Sequence, residues 1–351
     1  MHFHHLHFYV EDVAFWRHWF VEKLAFAATG ADRRDFAILR QGKIEIRLSG
    51  PRVSAKEGEG RDEVSDYLAR HPAGLADVAL ASDRFDWAVE RALAQGAVLT
   101  QPVFINADGR RQCQFQGWAD LRHTLVEDAR EDGGNGLFVL DARLQEIDHV
   151  VINVPKGELA AAADWYRRTF DLSYGQRFEI STARSGLRSQ VLVHEGGSLR
   201  LPLNEPTSDN SQVEEFLQHN KGAGVQHVAL RSADAVRAIA HFRSQGLALI
   251  DVPDAYYEQL PQRLNCPMDN LRDASEQKLL VDWAAGGQQG MLLQTFTKPL
   301  FSVPTFFFEI IERGRYLKDG KPEVAQGFGE GNFQALFEAI ERSQLVREQR
   351  N

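Results

Sequence analysis

The chain has 351 residues, of which 43% are hydrophobic and 25% charged, and carries a formal net charge of −9 at pH 7. That length exceeds one comfortable core and predicts roughly two domains of about 150 residues each. The acidic balance, with arginines scattered among acids, leaves phosphates no basic stripe and argues against a nucleic-acid partner. No apolar run approaches the ~20 residues of a membrane helix, and Met1–His7 lacks the basic leader and apolar stretch of a secretory signal. Two cysteines, Cys113 and Cys266, make neither a disulfide framework nor a metal-ligand spacing. A reducing cytoplasm away from membranes is the expected setting.

Taken in order, the elements repeat. His5-Leu-His-Phe-Tyr-Val10 reads as a strand, followed by a helical aromatic segment, Phe15–Phe20. Gly74–Leu80 reads as a second strand, with an amphipathic helix over 83–95 and a turn at Gly96, nineteen residues after Asp77. After His123-Thr-Leu-Val-Glu127 comes the cluster Glu131-Asp-Gly-Gly-Asn-Gly136, whose composition marks a linker. The same series then recurs: His149–Val154, the aromatic segment Trp165–Phe170, Gly224–Leu230, a helix over 234–245, and Gly246 nineteen residues after His227. Thr305-Phe-Phe-Phe-Glu309 stands beside His123–Glu127 as a weaker third match. A duplicated α+β chain follows, with halves of about 1–135 and 140–351. Each half is expected to hold two βαβββ modules that curl their sheet into an incomplete, open barrel.

The two-residue period of a strand decides which residues point inward. In Thr305–Glu309 it sets Thr305, Phe307 and Glu309 on one face and Phe306 and Phe308 on the other. A lone carboxylate among aromatic and branched residues is costly to bury, so Glu309 needs a neutralising partner. His149 and His227 stand in strand contexts on equivalent modules. Two histidines and a carboxylate make the facial set that holds non-haem Fe(II) with open positions for substrate and oxygen. The first half offers His5, Asp77 and Glu127 at the matching places, a harder donor set read as a degenerate copy kept for packing and assembly. His2, His4, His5 and His7 alternate along or precede one strand and imply no compact ligand set.

At Ile147-Asp-His, Gly186-Leu-Arg-Ser-Gln190, Leu201-Pro-Leu-Asn-Glu-Pro206, Gly222-Ala-Gly-Val-Gln-His227, Tyr256–Leu264, Leu293–Pro299, Phe307-Phe-Glu309 and Gly327-Phe-Gly-Glu-Gly-Asn-Phe333, the chain resembles the 4-hydroxyphenylpyruvate dioxygenase family of the vicinal-oxygen-chelate fold. The resemblance is densest from Gln145 to Arg347. It implies an Fe(II) enzyme that converts 4-hydroxyphenylpyruvate and O2 to homogentisate and CO2, with His149, His227 and Glu309 as metal ligands. It implies also that Phe307 and Phe333 sandwich the substrate ring. Gln226, Gln212, Gln294, Ser189 and Asn204 match the family's polar pocket positions, where neutral amides orient oxygens without competing as anionic ligands. A C-terminal helix over about 332–347 would act as a lid, and the protein would be a homo-oligomer, a dimer or tetramer. The stretch 314–326 is longer and more polar than the family's link. The rival readings are 4-hydroxymandelate synthase, which acts on the same substrate and from which Phe296 separates this chain by its bulk, and a metal-free binding protein of the same fold. A glyoxalase-type isomerase or ring-cleaving enzyme fits the tail and the Pro-Leu-Asn-Glu-Pro turn less well.

Overall fold

The computed structural model describes residues 1–30, 33–52, 62–128, 143–181, 186–264, 271–283 and 290–332. The first sheet comprises β1 (His2–Tyr9), β2 (Ala27–Thr29), β3 (Phe36–Gln41), β4 (Ile44–Ser49), β5 (Gly74–Ser82), β6 (Leu99–Ile105), β7 (Arg111–Gln116) and β8 (Arg122–Glu127). The second comprises β9 (Glu146–Asn153), β10 (Ser173–Ser181), β11 (Gly186–Val193), β12 (Arg200–Pro206), β13 (Gly224–Arg231), β14 (Leu280–Asp282), β15 (Leu292–Phe296) and β16 (Phe307–Arg313). The strand orders are β2-β3-β4-β1-β5-β8-β7-β6 and β10-β11-β12-β9-β13-β16-β15-β14, the same permutation twice. The duplication expected from the repeat is therefore present as topology. The expected linker at 131–136 and the expected helix over 332–347 lie outside the described residues, as does Phe333. The stretch 314–326 contains a separate hairpin, β17 (Arg315–Lys318) with β18 (Lys321–Val324). No helix among the described residues is long and apolar enough to cross a membrane.

Helices after the first strand of each module cover the sheets. In Val13–Leu24, the buried residues Val13, Trp16, Phe20 and Leu24 recur at helical spacing, and the Asp12 carboxylate caps the start by accepting from the Phe15 N–H at 2.9 Å. The expected helices over 83–95 and 234–245 form as Phe85–Ala94 and Ala235–Ser244. One apolar core runs through both sheets. Its aromatic joint is Phe8 of β1, with ring centroids 5.1 Å from Phe306 and 6.2 Å from Phe308 of the second half.

Both sheets break their pairing at the same places. On β9, Ile147 and His149 have partners on β13 while Asp148 between them does not; on β13, Val225 and His227 are paired and Gln226 is skipped. On β1 and β5 the skipped residues are His4 and Ala76. Each is a β-bulge, in which one extra residue interrupts the alternation and re-aims its side chain. These bulges decide what the site contains.

Register also corrects one repeat match. Glu309 stands opposite Ala229 on β13. In the first sheet Asp77 pairs with Arg122 and Leu80 with Leu125, so Thr124, not Glu127, holds the position of Glu309. Glu127 lies three residues farther on, bound to the Arg111 guanidinium at 2.7 Å.

Candidate metal centre

His149 from β9, His227 from β13 and Glu309 from β16 converge, with ligand atoms all within 4.8 Å of one another. Glu309 Oε2 lies 3.2 Å from His149 Nε2 and 3.6 Å from His227 Nε2. Metal–ligand bonds of about 2.0–2.2 Å would hold adjacent donors about 3 Å apart, so the set needs little adjustment to take a divalent ion. The protonation states suit the same role. Burial would raise the Glu309 carboxyl, but the two histidines outweigh it and hold it at about 2. Burial dominates at His227 and lowers it, whereas at His149 burial is overcome by Glu309 and Asp148 and the shift is upward. An ionised carboxylate can ligate as it stands, and imidazoles ligate in their neutral form.

The donors are held from behind. Asp148, brought round by its bulge, accepts from His149 Nδ1 at 3.0 Å and leaves Nε2 for the site. Asp148 is itself gripped by Arg313, whose Nε and Nη2 reach its two oxygens at 2.7 and 2.6 Å. Gln294 donates from Nε2 to Glu309 Oε1 at 2.8 Å and to the Phe328 carbonyl at 2.9 Å, and its oxygen accepts from Asn332 Nδ2 at 3.1 Å. Gln294 thus stands behind Glu309 and is not a lining group of the cavity. Gly329 has φ +78°, and a Cβ there would fall 1.8 Å from Gln294 Oε1, so the close approach and the left-handed backbone both require glycine.

Above the donors opens a cavity of about 590 Å3, lined by residues of β9–β13, β15 and β16. Only a sheet curled towards closure brings seven strands to one space. Its walls are aromatic. Phe307 stacks on His227 at 4.8 Å and 17°, Phe296 meets Phe307 edge-on at 6.0 Å, and Phe328 meets His149 edge-on at 5.1 Å. Asn204, Gln212 and Gln226 supply polar lining. Gln212 Nε2 is buried with no hydrogen-bond partner among the described residues, a donor directed into a largely apolar space. Ser189 pairs across the sheet with Asn204 and is fully buried, but it is not among the lining residues, and its hydroxyl has no hydrogen-bond partner among the described residues. A second cavity of about 570 Å3 shares Gln212, Gln226, Phe296 and Phe307 and extends the space towards Thr305 and Lys298.

Three participants escaped the sequence reading. Asp148 alternates away from His149 in an unbroken strand, Arg313 lies 165 residues from its partner, and Phe328 stands in a glycine-rich motif with no strand or helix period to direct its ring. The charged buried pair left one signal: two ionisable residues inside apolar strands, each needing a counter-charge.

The first half has no equivalent centre among its described residues. The Asp77 carboxylate accepts from the Thr124 N–H at 2.8 Å, from the Thr124 hydroxyl and from Gln114 Nε2 at 2.8 Å, which engages both of its oxygens. His4, His5 and Glu45 do cluster. However, Glu45 is held by Arg40 at 2.6 Å and Arg47 at 2.8 Å, and two guanidinium groups repel a cation. By register Glu45 occupies the place of Arg200 and His4 that of Asp148, so of the three members only His5, in the place of His149, stands at a donor position. His5→Ala is expected to leave the metal content of purified protein unchanged, measured by elemental analysis; a halved content would revive a first-half site.

Residues 146–261 match the glyoxalase/bleomycin resistance protein/dioxygenase superfamily. Over 385 residues the chain is 30% identical to 4-hydroxyphenylpyruvate dioxygenase of Danio rerio, covering 99% of this chain and 91% of that protein. Over 214 residues, 61% of this chain and 56% of the relative, it is 41% identical to the enzyme of the same name from Legionella pneumophila. Among solved structures, a triple mutant of 4-hydroxymandelate synthase from Streptomyces coelicolor superposes with a TM-score of 0.82 at 26% identity, covering 98% of both chains. The chain belongs to the 4-hydroxyphenylpyruvate dioxygenase family, enzymes that are O2-using oxidoreductases. Membership implies a metal cofactor, and the two-histidine, one-carboxylate donor set fits one.

Proposed function

We propose that the protein is an Fe(II) dioxygenase that converts 4-hydroxyphenylpyruvate and O2 to homogentisate and CO2, by oxidative decarboxylation, ring hydroxylation and side-chain migration. The observation that carries the reading is the convergence of His149, His227 and Glu309 at the floor of an aromatic-walled cavity. In this reading the chemistry belongs to residues 140–351, and residues 1–135 serve packing and assembly of a cytoplasmic homo-oligomer.

Fe(II) bound by the three residues would supply chelation of the 2-oxo acid and activation of O2 at the positions that a facial set leaves open. The protein's part is orientation and exclusion of water. Phe307 on one wall and Phe328 over His149 confine a planar ring, with Phe296 closing the third side. Gln212, Gln226 and Asn204 offer neutral donors and acceptors to the phenol and to the oxo-acid end, so no second anion competes for the metal. Asp148 keeps His149 in the tautomer that presents Nε2, and Gln294 fixes one Glu309 oxygen so that the other faces the histidines. The apolar walls exclude bulk water, which would intercept reactive intermediates.

The test is product analysis. Protein loaded anaerobically with Fe(II), then given 4-hydroxyphenylpyruvate and O2, is expected to release homogentisate and CO2 in equal amounts on chromatography and gas analysis. Hydroxymandelate as product would replace the named reaction by the benzylic one and remove the argument from Phe296. Substrate binding without oxygen consumption would favour a binding protein.

A further inference from the structure

Arg313 is an arginine buried to 4% exposure, and its hydrogen bonds run in two directions. Two go to Asp148, at 2.7 and 2.6 Å, and Asp148 holds His149. The other two leave Nη1 for the backbone carbonyls of Ala325 and Gly327, each at 2.9 Å. The next residue, Phe328, lies edge-on against the His149 ring, and its carbonyl accepts from Gln294, which also holds Glu309. Residues 325–332 therefore form a strap across the site. Arg313 fastens its leading end, and Gln294 with Asn332 and Tyr256 fastens its far end. Both fastenings belong to side chains that also support candidate ligands.

We propose that Arg313 is a positioning residue that couples the strap to the metal centre, so that loading His149 and closing Phe328 over it are one linked event. The inference rests on the metal reading above. A planar guanidinium suits the task because its donors leave in fixed directions: one edge satisfies a carboxylate with two parallel bonds while the remaining corner serves two carbonyls. Lysine, a point charge on a flexible stem, cannot reproduce the fork. With His149 displaced, Asp148 turns, the fork loses its fit, and the carbonyls of 325 and 327 lose their donor. Linkage makes the effect reciprocal: whatever loosens the strap weakens metal binding by the same factor that metal binding tightens the strap.

The experiment titrates the full-length protein with Fe(II) and, separately, Co(II) under anaerobic conditions, following affinity by calorimetry and the Co(II) absorption bands. In parallel, amide hydrogen exchange is followed over 325–332 with and without metal. In the unaltered protein, metal is expected to slow exchange in that segment. Arg313→Lys is expected to weaken metal binding by ~10–100-fold, the range for ligand-supporting partners, and to abolish the slowing at 325–332 even when metal is saturating. Because weakening the ion pair at the buried Asp148 destabilises the fold, the neutral double variant Asp148→Asn with Arg313→Gln is measured beside it, with thermal unfolding as the check on folding. Metal affinity and metal-dependent protection equal to the unaltered protein's in both variants would overturn the coupling and leave the metal reading intact. Failure of the unaltered protein to bind either metal would overturn both.

Discussion

Glu309→Gln is expected to abolish metal-dependent turnover while leaving the fold intact. The substitution keeps the shape and one carbonyl oxygen but removes the anion that two histidines face at 3.2 and 3.6 Å. Altering a group that merely supports a ligand costs ~10–100-fold in affinity or activity, so loss of the anionic ligand itself is expected to exceed ~100-fold. Stability should barely fall and can rise, since the variant buries an amide where the parent buries a charge. Anaerobic Fe(II) titration, oxygen uptake and urea unfolding on the same preparation separate the two effects. Unchanged iron affinity would remove Glu309 from the ligand set.

Phe308→Ala, one residue away, is expected to do the opposite. Phe308 is fully buried on the other face of β16, with ring centroids 5.0 Å from Phe306, 6.0 Å from Phe20 and 6.2 Å from Phe8. Truncating a buried phenylalanine costs ~3–5 kcal/mol through lost transfer energy and the cavity left behind. Here the cavity would open at the joint between the two halves, beside Phe8 of the first sheet. The urea midpoint should drop markedly, while folded protein at low temperature keeps its metal affinity within a few-fold. A drop in affinity matching that of Glu309→Gln would mean that the two faces of β16 are not independent.

The contrast between these neighbours was legible in the sequence, because a regular strand has a strict period of two and Phe308 and Glu309 both lie within the strand Phe307–Arg313. The repeat was legible for the same reason, since equivalent strands and turn glycines recur at equal spacing. Reading failed where the period breaks. Asp148 sits at a bulge, and a one-residue irregularity leaves no trace in a hydrophobic pattern; Gln226, at the other bulge, is legible only through its motif. The same weakness misaligned the third match: aligning Glu127 with Glu309 by residue type placed the first-half counterpart three positions beyond Thr124, its counterpart by register. Gln294 was found by motif, yet its role depended on a direction that no motif carries. Arg313 belongs to a pairing between strands far apart in sequence, which only the closed sheet reveals.

The matching bulges carry a consequence for the history of the chain. His4 and Ala76 in one sheet, and Asp148 and Gln226 in the other, are skipped at the same registers although the residues differ in size, charge and chemistry. Side chains so unlike cannot have selected the same irregularity twice. The kinks therefore belong to the ancestral unit and predate its copying, whereas the identities standing on them diverged afterwards. One half carries an acid and an amide at these positions around its donor set; the other carries an imidazole and a methyl group. Backbone shape was the heirloom, and chemistry was the later tenant.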